Sequence, residues 1–306
     1  MAYSLENILR GGSVQGFYLL MDRSQANPFL DGAAESYFPN NAVHVIDDRF
    51  FARNIDHAPV LIDLSLCPDF DSQLREEWFD LGAKGFDKSI RQGGHSLVSA
   101  WLYSSQPVEK IVAHLKKLCA HRHPSGEMHH LRFYDPRITS VLDEYLDGND
   151  KLRLLGPINE WWYPVFSGEC QCITSAVEVD SLTGLNISND IWDRLDCSSS
   201  YHKLIHVLVG LNELHPELIK FEKLPLYEEV YQNFQLASLA GWNKNEEEMI
   251  GCAVLWHLLG QDCQDKLPDV ANELQQYRIA GRPTLTEWLT FAGEAFWSQQ
   301  INALHK

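Results

Sequence analysis

The chain has 306 residues, 45% of them apolar, with 25 basic and 42 acidic side chains and a formal net charge of −17. That length supports full cores in two lobes, the apolar fraction excludes wholesale disorder, and the acidity excludes a protein built to bind phosphate backbones. No apolar stretch approaches the roughly 20 residues that span a bilayer, and residues 1–10 lack the charged and apolar regions of a secretory signal. The expectation is therefore a cytoplasmic protein that engages neither membrane nor nucleic acid.

The first half reads as strands and helices in alternation. Residues 16–22 (Gly-Phe-Tyr-Leu-Leu-Met-Asp) form a short continuous apolar run, the pattern of a buried strand, and residues 43–46 and 59–66 repeat it. Residues 27–41, rich in Asn, Pro, Gly and Asp, read as loop. Leu74, Trp78, Phe79 and Leu81 recur at roughly helical spacing within residues 72–86. Gly93-Gly94 precedes a strand over residues 96–103. Ser105 and Pro107 then open a helix whose apolar face is Val108, Ile111, Val112, Leu115 and Leu118. A turn at residues 123–126 leads to a strand over residues 128–134. Strand, helix, strand in this order is the pattern of a right-handed crossover between parallel strands. The expected fold is an α/β lobe with a mixed or mainly parallel sheet over residues 1–165.

Residues 130–137 read His-Leu-Arg-Phe-Tyr-Asp-Pro-Arg, with three charges in one short junction. Pro136 biases Asp135 away from helical geometry, which places Asp135 at an N-cap, Pro136 at N1 and a helix over residues 138–146. Arg132 reads as a bridge to Asp135 or as a grip on a partner's carboxylate or carbonyls, and Arg137 is open to the same two readings.

Residues 161–168, with Trp161, Trp162, Tyr163 and Pro164, read as a connector, followed by a strand over residues 170–179 and a loop over residues 181–189. Residues 166–199 are thus a linking segment containing one strand. From residue 200 the period becomes helical. Leu204, Ile205, Leu208, Leu211 and Leu214 mark one helix, residues 226–239 a second, and Asn245 caps a third that starts Glu246-Glu247-Glu248 and stops at Gly260. A fourth runs from Pro268 to Gly281, and Thr284 with Glu287 forms a capping box before Trp288, Leu289, Phe291 and Phe296. Residues 200–306 are therefore expected to be an all-α lobe.

The run Leu-Arg-Phe-Tyr-Asp-Pro-Arg, followed by Leu155-Gly156-Pro157-Ile158 and Trp161-Trp162-Tyr163-Pro164, resembles the effector-adaptor (chaperone) family of type VI secretion systems. The resemblance implies a non-enzymatic factor that binds the N-terminal region of a cognate effector and helps load it on the spike protein, with the spike's C-terminal region as a second partner. The layout of an α/β lobe followed by a helical lobe is similar to that family, and Ala240-Gly241-Trp242 resembles one of its helix-end signatures. On position and residue type, the partner-binding candidates are Arg132, Tyr134, Arg137, Trp161, Trp162 and Tyr163, lining a cleft between the lobes. Asp135, Pro136, Gly156 and Pro157 are the structural part of the motif.

Other chemistries find little footing. The chain has no Gly-x-Ser-x-Gly, His-Glu-x-x-His, Walker or Gly-x-Gly-x-x-Gly sequence. Seven scattered cysteines do not form a disulfide framework, and Cys170-x-Cys172 lacks structural zinc spacing. His121, His123, His129 and His130 crowd one turn beside Lys116, Lys117 and Arg122, and read as a solvated basic turn. Asp47, Asp48 and Asp63 read as solvated strand ends. No cofactor, metal or catalytic residue is expected. The competing readings are an unrecognised α/β hydrolase or transferase, and a structural baseplate subunit.

Overall fold

The computed structural model describes residues 13–23, 38–67, 72–91, 96–166, 168–174, 184–214, 216, 226–242, 245–272, 289 and 294–304. The chain divides into two compact units. The first comprises Met1–Ser89 and Gly94–Asp196, the second Ile90–Gly93 and Cys197–Lys306.

Unit 1 is built on one sheet of six strands: β1 (Phe17–Met21), β2 (Val43–Val45), β3 (Val60–Asp63), β4 (Val98–Tyr103), and, beyond a small hairpin of β5 (Ala120–Arg122) and β6 (Met128–His130), β7 (Glu160–Pro164) and β8 (Cys170–Thr174). The spatial order is β2-β3-β1-β4-β7-β8, and every neighbouring pair is antiparallel. The expectation of a mixed or mainly parallel sheet is thereby overturned. Two features of the chain explain the difference. Residues 128–134 do not cross back to the sheet, because the turn at His123–Gly126, with Gly126 at φ +92°, folds β6 directly onto β5. The next strand beside β4 is instead β7, read from sequence as a connector, which pairs Trp101 with Trp162 and Leu102 with Trp161. Pro164 is tolerated because it is the last residue of its strand.

Alternation along the strands sends adjacent residues to opposite faces. One face carries Phe17, Leu19, Met21, Val60, Ile62, Val98 and Trp101, packed with Trp78 and with Phe79 and Leu81 of helix α1 (Ser72–Arg91). The register places Leu102, Trp161 and Ile173 on the other face. Helices α2 (Val108–Cys119), α3 (Pro136–Tyr145) and α4 (Gly148–Leu155) follow β4 in the chain. Trp161 meets Phe133 edge-on at 5.8 Å, and the Tyr163 hydroxyl donates to Asp143 of α3 at 2.7 Å. The two adjacent tryptophans therefore serve different faces: Trp161 is buried beside Phe133, while Trp162 packs on the Trp101 side and donates its indole N–H to Glu160 at 2.9 Å.

Unit 2 is helical in its described residues, and its longer stretch begins within α5 (Asn189–Leu214), a helix that starts inside the segment 166–199 read as a link. Its described residues also include α6 (Tyr227–Leu239), α7 (Glu246–Leu259), α8 (Cys263–Lys266) and α9 (Glu294–Leu304), and residues 268–272 are helical. The Asn245 side chain caps α7 by accepting from the Glu248 N–H at 2.8 Å, and three glutamates occupy the first turn, where the helix dipole favours them. Val230, Phe234 and Ala237 of α6 and Ile250, Val254 and Leu255 of α7 are buried. The loop over residues 27–37, Gly93-Gly94, residues 175–183, most of the helix expected from Pro268 to Gly281, and the capping box at Thr284 and Glu287 lie outside the described residues.

Gly82 of α1 marks the closest approach of helix to sheet. A Cβ there would sit 2.2 Å from Cη2 and 2.6 Å from Cζ2 of Trp101, a ring already packed against Phe79 at 5.3 Å. Gly82→Ala should destabilise the protein by about 1–3 kcal/mol, because overpacking outweighs the gain in helix propensity. Gly85→Ala, with nothing within 4 Å of its added Cβ, should instead stabilise by about 0.5–1 kcal/mol. Urea midpoints of the two variants check both signs.

Candidate functional site

The motif corner follows the β5–β6 hairpin. Leu131 continues that pairing, its N–H bonding the Cys119 carbonyl at 2.9 Å, and a turn closes with the Asp135 N–H on the Arg132 carbonyl at 2.8 Å. Asp135 is the N-cap of α3 and Pro136 stands at N1, where a missing N–H costs nothing. Asp135 Oδ1 accepts from the Arg137 backbone N–H at 3.1 Å. Thr139 completes the corner by donating its hydroxyl to the Phe133 carbonyl at 2.6 Å.

The two arginines have different fates. Arg137 grips Asp135 with both ends of its fork, Nε to Oδ1 at 2.8 Å and Nη2 to Oδ2 at 2.6 Å, and its side chain is 14% exposed. Arg132 is held more loosely. Its Nη2 lies 3.4 Å from Asp22 and 3.7 Å from Asp135, both nearly inaccessible, while its own side chain is 36% exposed. Its guanidinium also stands 5.8 Å from the centre of the Tyr134 ring. A guanidinium carries five N–H donors, so Arg132 keeps donor capacity at the surface that Arg137 spends inside the corner.

The electrostatics follow from burial and from these pairs. Burial pushes the Asp135 carboxyl up, but the hydrogen bonds and charge of Arg137, with the charge of Arg132, outweigh it and hold the group below its ordinary value. Burial pulls Arg132 down, and Asp135, Tyr134 and Asp22 more than offset this. Burial, against the pull of Arg132, pushes the Tyr134 hydroxyl above its ordinary range.

Of the remaining partner-binding candidates, Trp161 and Tyr163 are each 1% exposed and Tyr134 is 2% exposed. They belong to the interior of unit 1 and offer no surface to a partner. Trp162 is half-buried. Gly156 ends α4 at φ +54°, and a Cβ there would lie 2.4 Å from the His114 ring, so glycine is demanded by both backbone and space. Pro157 offers its carbonyl to the Ser104 hydroxyl at 2.6 Å, tying the turn to the end of β4.

The four histidines do not form a solvated basic turn. His123 and His129 stack at 4.4 Å with Trp192 set edge-on against both. His121 bonds the Leu118 carbonyl at 3.1 Å. His130 stacks on Phe50 at 4.8 Å and meets Phe51 edge-on at 5.0 Å. Burial and the nearby Arg132 push His130 down to about 4, against the pull of Asp48. Asp48 and Asp63 act as caps, accepting from the N–H groups of Phe50 at 3.1 Å and Ser65 at 2.9 Å. The Cys67 and Cys119 thiols are raised by burial to about 11 and 12, which leaves them protonated and weak as nucleophiles. Sequence reasoning missed Asp22 and Phe50. Asp22 ends an apolar strand and has no local signal pointing 110 residues ahead to Arg132.

A family model described as "Domain of unknown function (DUF4123)" matches residues 17–151, a little under half of the chain, so a DUF4123 domain is present there and contains the whole corner. No curated protein and no solved structure matches the chain. No helix among the described residues is long and apolar enough to cross a membrane.

Arg137→Ala leaves a buried carboxylate with one backbone N–H and the Arg132 guanidinium 3.7 Å away and should cost about 3–5 kcal/mol, whereas Arg132→Ala should cost less because its contacts are long and partly solvated. Chemical denaturation of both variants checks the order. The acid response has two stages. His130 titrates near 6.5 when unfolded and near 4 when folded, so the unfolded state binds the extra proton between these values and stability rises with pH across that window. Asp135, depressed from 3.8, contributes stability that is present above that pH and is lost as pH falls through its folded value. His130→Phe should flatten the slope between pH 4 and 6.5 without abolishing it, because burial also lowers His114 and His121, and should keep the loss below that window, as read from urea midpoints measured at successive pH values.

Proposed function

We propose that this chain is an adaptor of a type VI secretion system that binds the N-terminal region of a cognate effector and helps load it on the spike protein, working in the cytoplasm and without catalysis. The observation that carries the reading is the motif at the corner, which falls inside the one stretch that a family model matches. The Leu131–Arg137 run resembles the effector-adaptor family, and the DUF4123 match covers the same residues. The geometry supports a binding role for the corner more than a chemical one. Its carboxylates are neutralised by arginines and its tyrosine is buried and raised. Arg132 alone combines a fixed position with surface exposure.

Such an adaptor would hold its partner by apolar anchors, with a charged group setting register. The partner is expected to be encoded beside this protein. Coexpression of the two should yield a complex that co-elutes in size-exclusion chromatography, and deletion of this protein should abolish export of that effector while other type VI cargo still leaves the cell. Absence of a complex together with normal export of the neighbour would end the adaptor reading. Loss of all type VI secretion would point to a baseplate subunit instead.

A further inference from the structure

The corner does not end at Arg132. The 3-10 turn Arg49–Phe51 brings a second segment against it, and rings from both form a ladder. Phe50 stacks on His130 at 4.8 Å with an interplanar angle of 14°, and His130 lies 5.9 Å from Tyr134. A guanidinium closes each end: Arg49 at 5.2 Å over Phe50, and Arg132 at 5.8 Å over Tyr134. Tyr134 is the buried floor of this ladder, while Phe50 is 38% exposed and Arg49 is exposed.

The local charges are unbalanced. Asp47 is paired with Lys116, Asp48 caps the turn, and Asp56 is paired with Arg23 at 3.6 Å. The acidic side chains of this segment are thus engaged, while Arg49 and Arg53 have no carboxylate partner among the described residues. In a chain with a net charge of −17, an exposed aromatic ring under the Arg49 guanidinium, which has no carboxylate partner among the described residues, departs from the prevailing sign. An aromatic face takes an apolar side chain, and a guanidinium takes a carboxylate through its planar fork.

We propose that Phe50 and His130, backed by the buried Tyr134 and flanked by Arg49 at one end and Arg132 at the other, form the docking face for an extended protein segment carrying carboxylates on either side of an apolar side chain. The inference deepens the adaptor reading and rests on it for the partner being a protein. It assigns the binding role to Arg49 and Phe50, which lie far from the motif in sequence, and removes it from Trp161 and Tyr163.

The test uses the full-length protein and a phage-displayed library of random 12-residue peptides as probe. Selected peptides should carry Asp or Glu flanking Leu, Ile, Phe or Met. Fluorescence anisotropy of the best peptide should show binding about tenfold weaker for Arg49→Gln and for Phe50→Ser. Binding should also weaken with added salt, and Lys84→Gln, on an exposed helix pair elsewhere, should bind as the parent does. Arg49 and Phe50 are surface residues, so their variants keep the test decisive even if an Arg132 variant fails to fold. Failure to enrich any peptide, enrichment of peptides poor in carboxylates, or equal binding by Arg49→Gln and Phe50→Ser would each overturn the proposal. If any of these occurs while the coexpressed neighbour still co-elutes, the docking face is wrong and the adaptor reading stands. If the neighbour fails to co-elute and is exported normally without this protein, the adaptor reading itself is lost.

Discussion

A carboxylate 5% exposed to solvent is tolerable only when its oxygens are filled, and the corner of unit 1 is organised around filling those of Asp135. One oxygen takes the first free N–H of α3 and the Arg137 Nε; the other takes the Arg137 Nη2. The same side chain therefore starts the helix, fixes the arginine two residues on, and sets where Phe133 and Tyr134 enter the interior. Pro136 fits because its lack of an N–H costs nothing at N1 and its fixed φ matches the helix. An N-cap of this kind contributes about 1 kcal/mol by itself. The larger effect is on geometry, since the chain cannot leave the hairpin in another direction without stranding a buried charge.

That arrangement divides the labour between two arginines the sequence presents as equivalent. Arg137 is consumed by Asp135, so its role is structural. Arg132 is left bridging Asp22 at the end of β1 and Asp135 at the start of α3 over longer distances. It joins the first strand of the sheet to the motif, which explains why an arginine is needed where a lysine has fewer directions to offer. A residue held by two buried carboxylates yet partly open to solvent has a fixed position without being used up. Recognition sites favour such groups because little freedom is lost on binding.

How much of this was legible in the sequence depended on how local the cause was. The Asp135 cap, Pro136 at N1 and the Asn245 cap before three glutamates are decided within four residues, and the chain shows them directly. The direction of the strands is not a local property. Residues 17–21 form a continuous apolar run, the usual mark of a parallel sheet covered on both faces. Here the sheet is antiparallel and β1 is still buried at every residue, with α1 packed on one face, so the alternation that normally betrays an antiparallel strand is erased. The Trp161–Pro164 run misled in a related way. Adjacent tryptophans and a proline suggest an irregular connector, but each ring has its own face of the sheet to fill. The docking ladder was illegible because its two halves lie 80 residues apart and meet only through the hairpin.

The antiparallel topology also says where the structural unit ends. The DUF4123 match stops at residue 151, after β1 to β4 and the corner but before β7 and β8. Strand β4 pairs with β1 along one edge and with β7 along the other. A fragment ending at residue 151 would leave the β7 side of β4 with unpaired backbone groups at Trp101, Leu102 and Tyr103. It would also strip the Trp161 ring from Phe133, inside the motif itself, and the hydroxyl of Tyr163 from Asp143 of α3. The segment that the family model matches is therefore not the segment that closes the sheet. Residues 160–174 complete both the edge and the packing behind the corner. The aromatic run in that stretch accompanies the motif because it forms the wall against which the corner is set.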